Sequence, residues 1–341
     1  MRTEPTDLPP SLLAETISRH WNLPAITLTH LPVGFGSHHW QADAVDGRGW
    51  FVTVDDHEHG HLGFGPETSF QELDRAMRTV ATLRDAIGLE FVVGPLPDRE
   101  GNVLLRLEGP QDHNHNHYSV AIFPLLDSER TGFGRIPESQ RQATLRLIGR
   151  LHKATPSLPA GLPWRDDLQI AQRRDLEAAL NDLDTPWTGG PYAEPTRHLL
   201  REHRENITQA LRHYDELAAA VAADPAPWVV THGEPHAGNV VRLRTGALRL
   251  VDWDTVALAP KERDLWMLTA DGATDWTPYH DVVGKTSVSE TALSLYRLRW
   301  DLADIAAYVF WFRRPHEDSD DMRTGWEGLN GYLPLTSGRL D

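Results

Sequence analysis

His232-Gly233-Glu234-Pro235-His236-Ala237-Gly238-Asn239 and, a short hairpin later, Val251-Asp252-Trp253-Asp254 decide how this chain reads. Residues 228–231 and 240–243 have the β-branched, apolar character of strands, and Thr245-Gly246 is a turn signal before a third strand over 247–251. Three polar groups thus meet at strand ends. Glu234 can accept a proton from an attacking hydroxyl, while Asn239 and Asp252 offer oxygens to a Mg²⁺ ion bridging nucleotide phosphates, which is the equipment of phosphoryl transfer. A lone His-Gly turn is ordinary turn chemistry; two such motifs in order, with a hairpin between them, are not.

With these motifs the chain resembles the aminoglycoside phosphotransferase family, antibiotic kinases that share the protein-kinase fold and carry a His-Gly-Asp-x-x-x-x-Asn loop followed by Ile-Asp-Trp. Leu258-Ala259-Pro260-Lys261-Glu262-Arg263-Asp264-Leu265 looks like the branch containing spectinomycin phosphotransferases. The resemblance implies an α+β, protein-kinase-like, two-lobed fold. Its small N-lobe, residues 1–124, would bind nucleotide with an antiparallel five-stranded sheet plus a helix. A larger, mainly helical C-lobe, 125–341, would hold the catalytic loop and the acceptor site. It further implies Mg²⁺-dependent transfer of the γ-phosphate of ATP, or GTP, to a hydroxyl of an aminoglycoside- or aminocyclitol-type antibiotic. A kinase for another small metabolite and a nucleotide-binding pseudokinase are the alternatives. Glu234, His232, Asn239 and Asp252 would be catalytic, with Asn239 and Asp252 on the metal and His232 bracing the loop. Gly34, Phe35, Gly36, Ser37 and Thr53 would face the nucleotide, and main-chain groups of a hinge at Phe123, Pro124 and Leu125 would meet the adenine edge.

Two positions depart from the family pattern. Glu234 stands where most members have Asp, one methylene further out, and a misplacement of ~1 Å can cost on the order of 100-fold in rate unless the loop is set back. The family's phosphate-binding lysine on the third strand falls on Thr53, within Gly49-Trp50-Phe51-Val52-Thr53-Val54-Asp55-Asp56, and the chain's lysines are only Lys153, Lys261 and Lys285. Arg48, Arg75 or the metal would have to take over. Glu72, the natural helix partner of that lysine, instead completes a capping box with Ser69 at the start of a helix over 70–85.

The 341 residues suffice for two lobes with their own cores, and 12 Trp suggest dense packing. With no Cys, disulfides, thiol nucleophiles and Cys-ligated zinc are excluded. The start is Pro-rich without a signal-peptide pattern and no segment reaches membrane-spanning length, so a cytoplasmic enzyme is expected. A net charge of −16 disfavours nucleic acid and suits a cationic partner.

Along the chain, a first helix is expected over 12–21, then a strand over 25–31. Small residues in Val33-Gly34-Phe35-Gly36-Ser37 would let backbone amides approach phosphates. Strands around Phe91, over 103–107 and over 119–123 would complete the N-lobe sheet. Beyond the hinge, 138–153 is an amphipathic helix packing Leu145, Ile148, Leu151 and His152, and 195–223 a helical insert. The last helix is read at 290–312, where Asp301 and Asp304 share a face and, with Asp254, could meet ammonium groups of an acceptor. Asp264 would cap a helix starting at Leu265 and hold the catalytic loop.

Rival metal readings are weaker. His57-Glu58-His59-Gly60-His61 matches His-Glu-x-x-His but lies among glycines rather than on a helix. The tract His113-Asn114-His115-Asn116-His117 reads as a polar loop. His232-x-Glu234-x-His236 could form a two-His, one-carboxylate triad, but that would leave Asn239 and Asp252 unexplained.

Overall fold

The structure, a computed structural model, describes residues 1–341 except 25, 35, 58–64, 108–116, 129–131, 133, 271, 272 and 336–341. Phe35, residues 58–61 and residues 113–116 of the two His-rich tracts therefore lie outside the described residues.

Helix α1 (Pro10–Trp21) leads into strands β1 (Ile26–Leu31), β2 (His38–Ala44) and β3 (Gly49–Asp56). Helix α2 (Pro66–Ala81) then precedes β4 (Leu105–Arg106) and β5 (Tyr118–Pro124). The strands form one antiparallel sheet in the order β1-β2-β3-β5-β4. Because side chains alternate along a strand, one face gathers Trp40, Ala42, Ala44, Trp50, Val52 and Val54 into a core with Leu13 and Ile17 of α1. The same alternation sends His39, Phe51, Thr53 and Asp55 to the opposite, half-exposed face.

Two expectations for this region need correction. The segment at Phe91 is not a strand of the sheet: Val92 bridges Leu250 in parallel, the Val93 amide donates to the Leu250 carbonyl, and the Leu250 amide donates to Phe91. Its backbone groups are paired instead with the strand that leads to Asp252. Nor do Ser69 and Glu72 form a capping box. The helix starts four residues earlier because Pro66, with its φ already near the helical value, suits a first helical position, and this leaves Ser69 buried inside the first turn with Gly65 as N-cap. A π-turn (Thr82–Ala86) continues the helix to one residue past the expected end.

The remainder is mainly helical: α3 (Glu138–Lys153), α4 (Arg173–Asn181), α5 (Ala193–Ala222), α6 (Glu262–Leu265), α7 (Thr277–Val283), α8 (Glu290–Arg313) and α9 (Asp320–Tyr332). Leu145, Ile148, Leu151 and His152 on α3 are all buried, as their helical spacing requires. Four short strands lie between α5 and α6: β6 (Val229–Thr231), β7 (Val240–Arg242), β8 (Leu248–Leu250) and β9 (Ala257–Ala259). β6 pairs with β9, and β7 with β8 in the expected hairpin. Helix α8 packs on α4, α5 and α9. It is not the last helix, since α9 follows it. Among the described residues no helix is long and apolar enough to cross a membrane.

Candidate active site

The loop 232–239 joins β6 to β7, and the segment 251–254 leaves β8, so the two motifs lie at adjacent strand ends. His232 locks them together. Its Nε2 donates to the Val251 carbonyl at 2.8 Å, its Nδ1 accepts from the Glu234 amide at 3.2 Å, and its ring lies 4.4 Å from that of Trp253. Burial pushes the imidazole down to about 4, so it stays neutral and can play both parts. With both nitrogens committed, His232 cannot ligate a metal. His236 spends its Nδ1 on the Gly238 amide at 3.1 Å, and the two-His triad fails on this geometry.

Asp264 holds the loop from beneath. Fully buried, it accepts from the amides of His232 (3.0 Å) and Gly233 (2.7 Å) and from His152 Nε2 (2.9 Å), whose Nδ1 meets the Tyr279 hydroxyl. Burial alone would raise this carboxyl; the hydrogen bond and charge of His152, with His232 and the Gly233 amide, more than offset it and hold Asp264 below the ordinary range. It does not cap a helix at Leu265, because α6 begins at Glu262 and Asp264 lies within it. Gly233 is required here by space as well as conformation. Its φ is +105°, and a Cβ would stand 2.6 Å from both Arg263 guanidinium nitrogens and from Thr255 Oγ1. Arg263 is itself fixed by Thr231 Oγ1 and the Thr255 carbonyl.

Glu234 and Asn239 project from this braced turn. Asn239 donates its Nδ2 to the Glu234 carbonyl at 3.1 Å, and among the described residues its Oδ1 has no hydrogen-bond donor. Asp252 sits at φ +64°, a conformation that costs a non-glycine residue energy and is tolerated where a side chain must be aimed. Glu234 is pushed well above the usual carboxylate range by burial and by repulsion from Asp254, Asp252 and Asp304. Asp252 and Asp254 are raised too, first because the surrounding elements displace water from the cleft, and Asp252 also by the charges of Asp254 and Asp55; both residues remain exposed to cleft solvent, which partly screens these effects. A cluster of carboxylates raised by desolvation, and for Glu234, Asp252 and Asp55 also by acidic neighbours, calls for a cation. Among the described residues no group of three or more His, Asp or Glu is arranged to hold a metal ion alone. Asn239 and Asp252 suit Mg²⁺ in another way, because that ion commonly takes one or two protein oxygens and completes its shell with phosphate oxygens and water.

The remaining candidates are spread around the cleft. Gly34 and Gly36 both have positive φ in the turn between β1 and β2, and Ser37 donates its hydroxyl to Asp55 at 2.6 Å. Thr53 lies on the half-exposed face of β3. Phe123 and Pro124 end β5, Pro124 paired with Trp50, and Leu125 follows at 40 % exposure. Asp304 on α8 accepts from the Tyr332 hydroxyl, itself held by Trp300 Nε1, and lies near enough to Glu234 to repel it. Asp301 is only 3 % exposed, so the two aspartates do not share an open face. Arg48 is paired with Asp46 at 2.8 Å on the surface.

Sequence reasoning missed Asp55. Burial and the neighbouring Asp254 raise it to about 7 against the pull of Ser37, and the alternation that puts Thr53 on the cleft face puts Asp55 there as well.

Residues 103–285, more than half the chain, match the profile of the phosphotransferase enzyme family. The chain belongs to this family. Protein StrN of Streptomyces griseus is 31 % identical over 272 residues, covering 76 % of each chain. Among solved structures, spectinomycin phosphotransferase in complex with ADP and spectinomycin aligns with a TM-score of 0.68 at 17 % identity, over 95 % of this chain and 94 % of that one. A microcompartment-associated aminopropanol kinase aligns with a TM-score of 0.61 at 13 % identity, over 97 % and 100 %. The resemblance and the kinase-like fold read from the sequence are thereby borne out, and the enzyme is a phosphotransferase.

Proposed function

We propose that this phosphotransferase moves the γ-phosphoryl group of ATP, or GTP, to a hydroxyl of a small cationic molecule of aminoglycoside or aminocyclitol type, in antibiotic resistance or self-protection. The observation that carries this reading is the Asp264-braced loop, which presents Glu234 and Asn239 beside Asp252 at the end of β8. Residues 1–124 would serve as the nucleotide lobe and 125–341 as the catalytic and acceptor lobe.

Glu234 orients the acceptor hydroxyl and takes its proton as the new oxygen–phosphorus bond forms. The bond from the γ-phosphorus to the bridging oxygen breaks, and the electron pair leaves with the nucleoside diphosphate. A carboxylate raised toward neutrality by burial and by its acidic neighbours is suited to this proton transfer at physiological pH. Mg²⁺ held by Asn239 and Asp252 would neutralise charge on the phosphates. Asp254 and Asp304 offer carboxylates to acceptor ammonium groups, and the net charge of −16 attracts such a molecule to the cleft. Asp301, being buried, would support α8 rather than touch substrate.

The test is a mass-spectrometric screen for gain of one phosphate across aminoglycosides, aminocyclitols and small metabolites, with ATP or GTP and Mg²⁺. Transfer to an aminoglycoside or aminocyclitol is expected. Transfer to a metabolite alone would replace the acceptor assignment, and nucleotide binding without any transfer would favour the pseudokinase reading that Thr53 motivates.

A further inference from the structure

The cleft face of the N-terminal sheet carries a basic side chain beside the position where the family's lysine is missing. β2 and β3 pair His39 with Thr53, so the two side chains stand next to each other on one face. Thr53 Oγ1 lies 3.4 Å from His39 Nδ1, and the ring rests on Phe51 with centroids 5.0 Å apart. If the threonine hydroxyl donates to Nδ1, the imidazole carries its proton on Nε2. That nitrogen is aimed at the glycine turn: a Cβ on Gly34 would stand 2.8 Å from it, and Gly34 has φ +75°. Among the described residues Nε2 has no hydrogen-bond partner.

We propose that His39, oriented by Thr53, donates from Nε2 to the β- or γ-phosphate of the bound nucleotide and takes the place of the absent lysine. The proposal rests on the nucleotide-dependent reading above. The geometry supplies a donor beneath the turn whose small residues let phosphates approach, and it gives Thr53 a use that lysine replacement alone does not. The groups around the ring are His38 on its own strand, His30 on β1, the α-ammonium of Met1 at the glycine turn, and Asp55 on β3, bonded to Ser37. Burial first, then the Met1 ammonium and the His38 and His30 rings, pushes the imidazole down to about 3, so it meets phosphate as a neutral N–H donor. A hydrogen bond to a charged partner commonly accounts for about tenfold or more in affinity.

Calorimetry with AMP and with a non-hydrolysable triphosphate separates phosphate recognition from general structure. In His39→Phe, which keeps a ring on Phe51 but has no donor, triphosphate affinity should fall at least tenfold while AMP affinity stays within twofold, and adding Thr53→Lys should restore triphosphate binding. Equal weakening of both ligands, or none, would overturn the proposal. Diethyl pyrocarbonate labelling of the unaltered protein gives an answer that does not depend on a variant folding. Peptide mass spectrometry should find His39 protected by the triphosphate and not by AMP; labelling unaffected by the triphosphate would contradict the assignment. An unaltered protein that binds neither nucleotide would refute the nucleotide-dependent function itself, whereas binding that ignores His39 refutes only this inference.

Discussion

Replacing Asp264 tests the brace beneath the catalytic loop. Its carboxylate is fully buried and accepts three hydrogen bonds, from the His232 and Gly233 amides and from His152. Asp264→Ala leaves three buried donors without an acceptor. At ~1–3 kcal/mol for each stranded donor, with partial relaxation, the expected loss is about 4 kcal/mol, within the range for breaking a buried charged pair. In a chain of this size each kcal/mol shifts the melting temperature by ~2 °C or somewhat less, so a fall of roughly 5–8 °C is expected. Asp264→Asn should lie between, because its amide keeps one acceptor but turns a donor toward groups that already donate. Turnover should fall further than stability implies, since a loop displacement of ~1 Å costs on the order of 100-fold. Thermal and urea melts, followed by steady-state kinetics well below the melting range, measure both effects. An Asp264→Ala protein that melts within a degree of wild type and turns over normally would refute the bracing argument.

Other consequences concern the cleft carboxylates. Glu234→Ala should lower kcat by about 10²–10⁴-fold with nucleotide affinity unchanged in calorimetry, and Glu234→Asp should retain partial activity. Glu234, Asp252, Asp254, Asp55 and Asp304 are all raised in the folded state, so between pH ~4 and ~8 the folded protein binds more protons than the unfolded chain. The contribution of these groups to stability therefore falls as pH rises through that window. Melts of the nucleotide-free protein should show this decline, and Mg²⁺ with nucleotide should reduce it; a stability that climbs steadily to pH 8 would count against the clustered-carboxylate description. For a polycationic acceptor, KM should rise between 0.05 and ~1 M salt as the Debye length shrinks to ~3 Å, and a salt-independent KM would point to a neutral acceptor.

The catalytic half was legible because its residues are adjacent in sequence. A turn with Glu234 and Asn239, a hairpin and Asp252 fix one another's positions through local strand pairing. Features that depend on packing were harder to read. Helix α9 carries glycines at 325, 328 and 331, which weaken any helical signal, yet Gly325 and Gly328 are where it approaches Tyr308 of α8. Asp301 and Asp304 are only about 60° apart around a helix, and which of them meets the cleft is set by the elements packed on α8, beyond the reach of periodicity. Phe91 to Val93 has strand-forming residues, but its partner is Leu250, distant in sequence. Asp55 and His39 were recoverable, since both follow from the alternation that placed Thr53 on the cleft face.

The central claim is that Asn239 and Asp252 present oxygens to a magnesium-bound nucleotide. Its most direct test is calorimetric titration of a non-hydrolysable nucleoside triphosphate into wild type and Asp252→Ala, with and without Mg²⁺, since no acceptor need be known. The account predicts that Mg²⁺ strengthens binding to wild type at least tenfold, that Asp252→Ala loses this gain, and that the two proteins bind the metal-free nucleotide alike. Equal affinity of wild type with and without Mg²⁺, or an undiminished Mg²⁺ effect in Asp252→Ala, would contradict it.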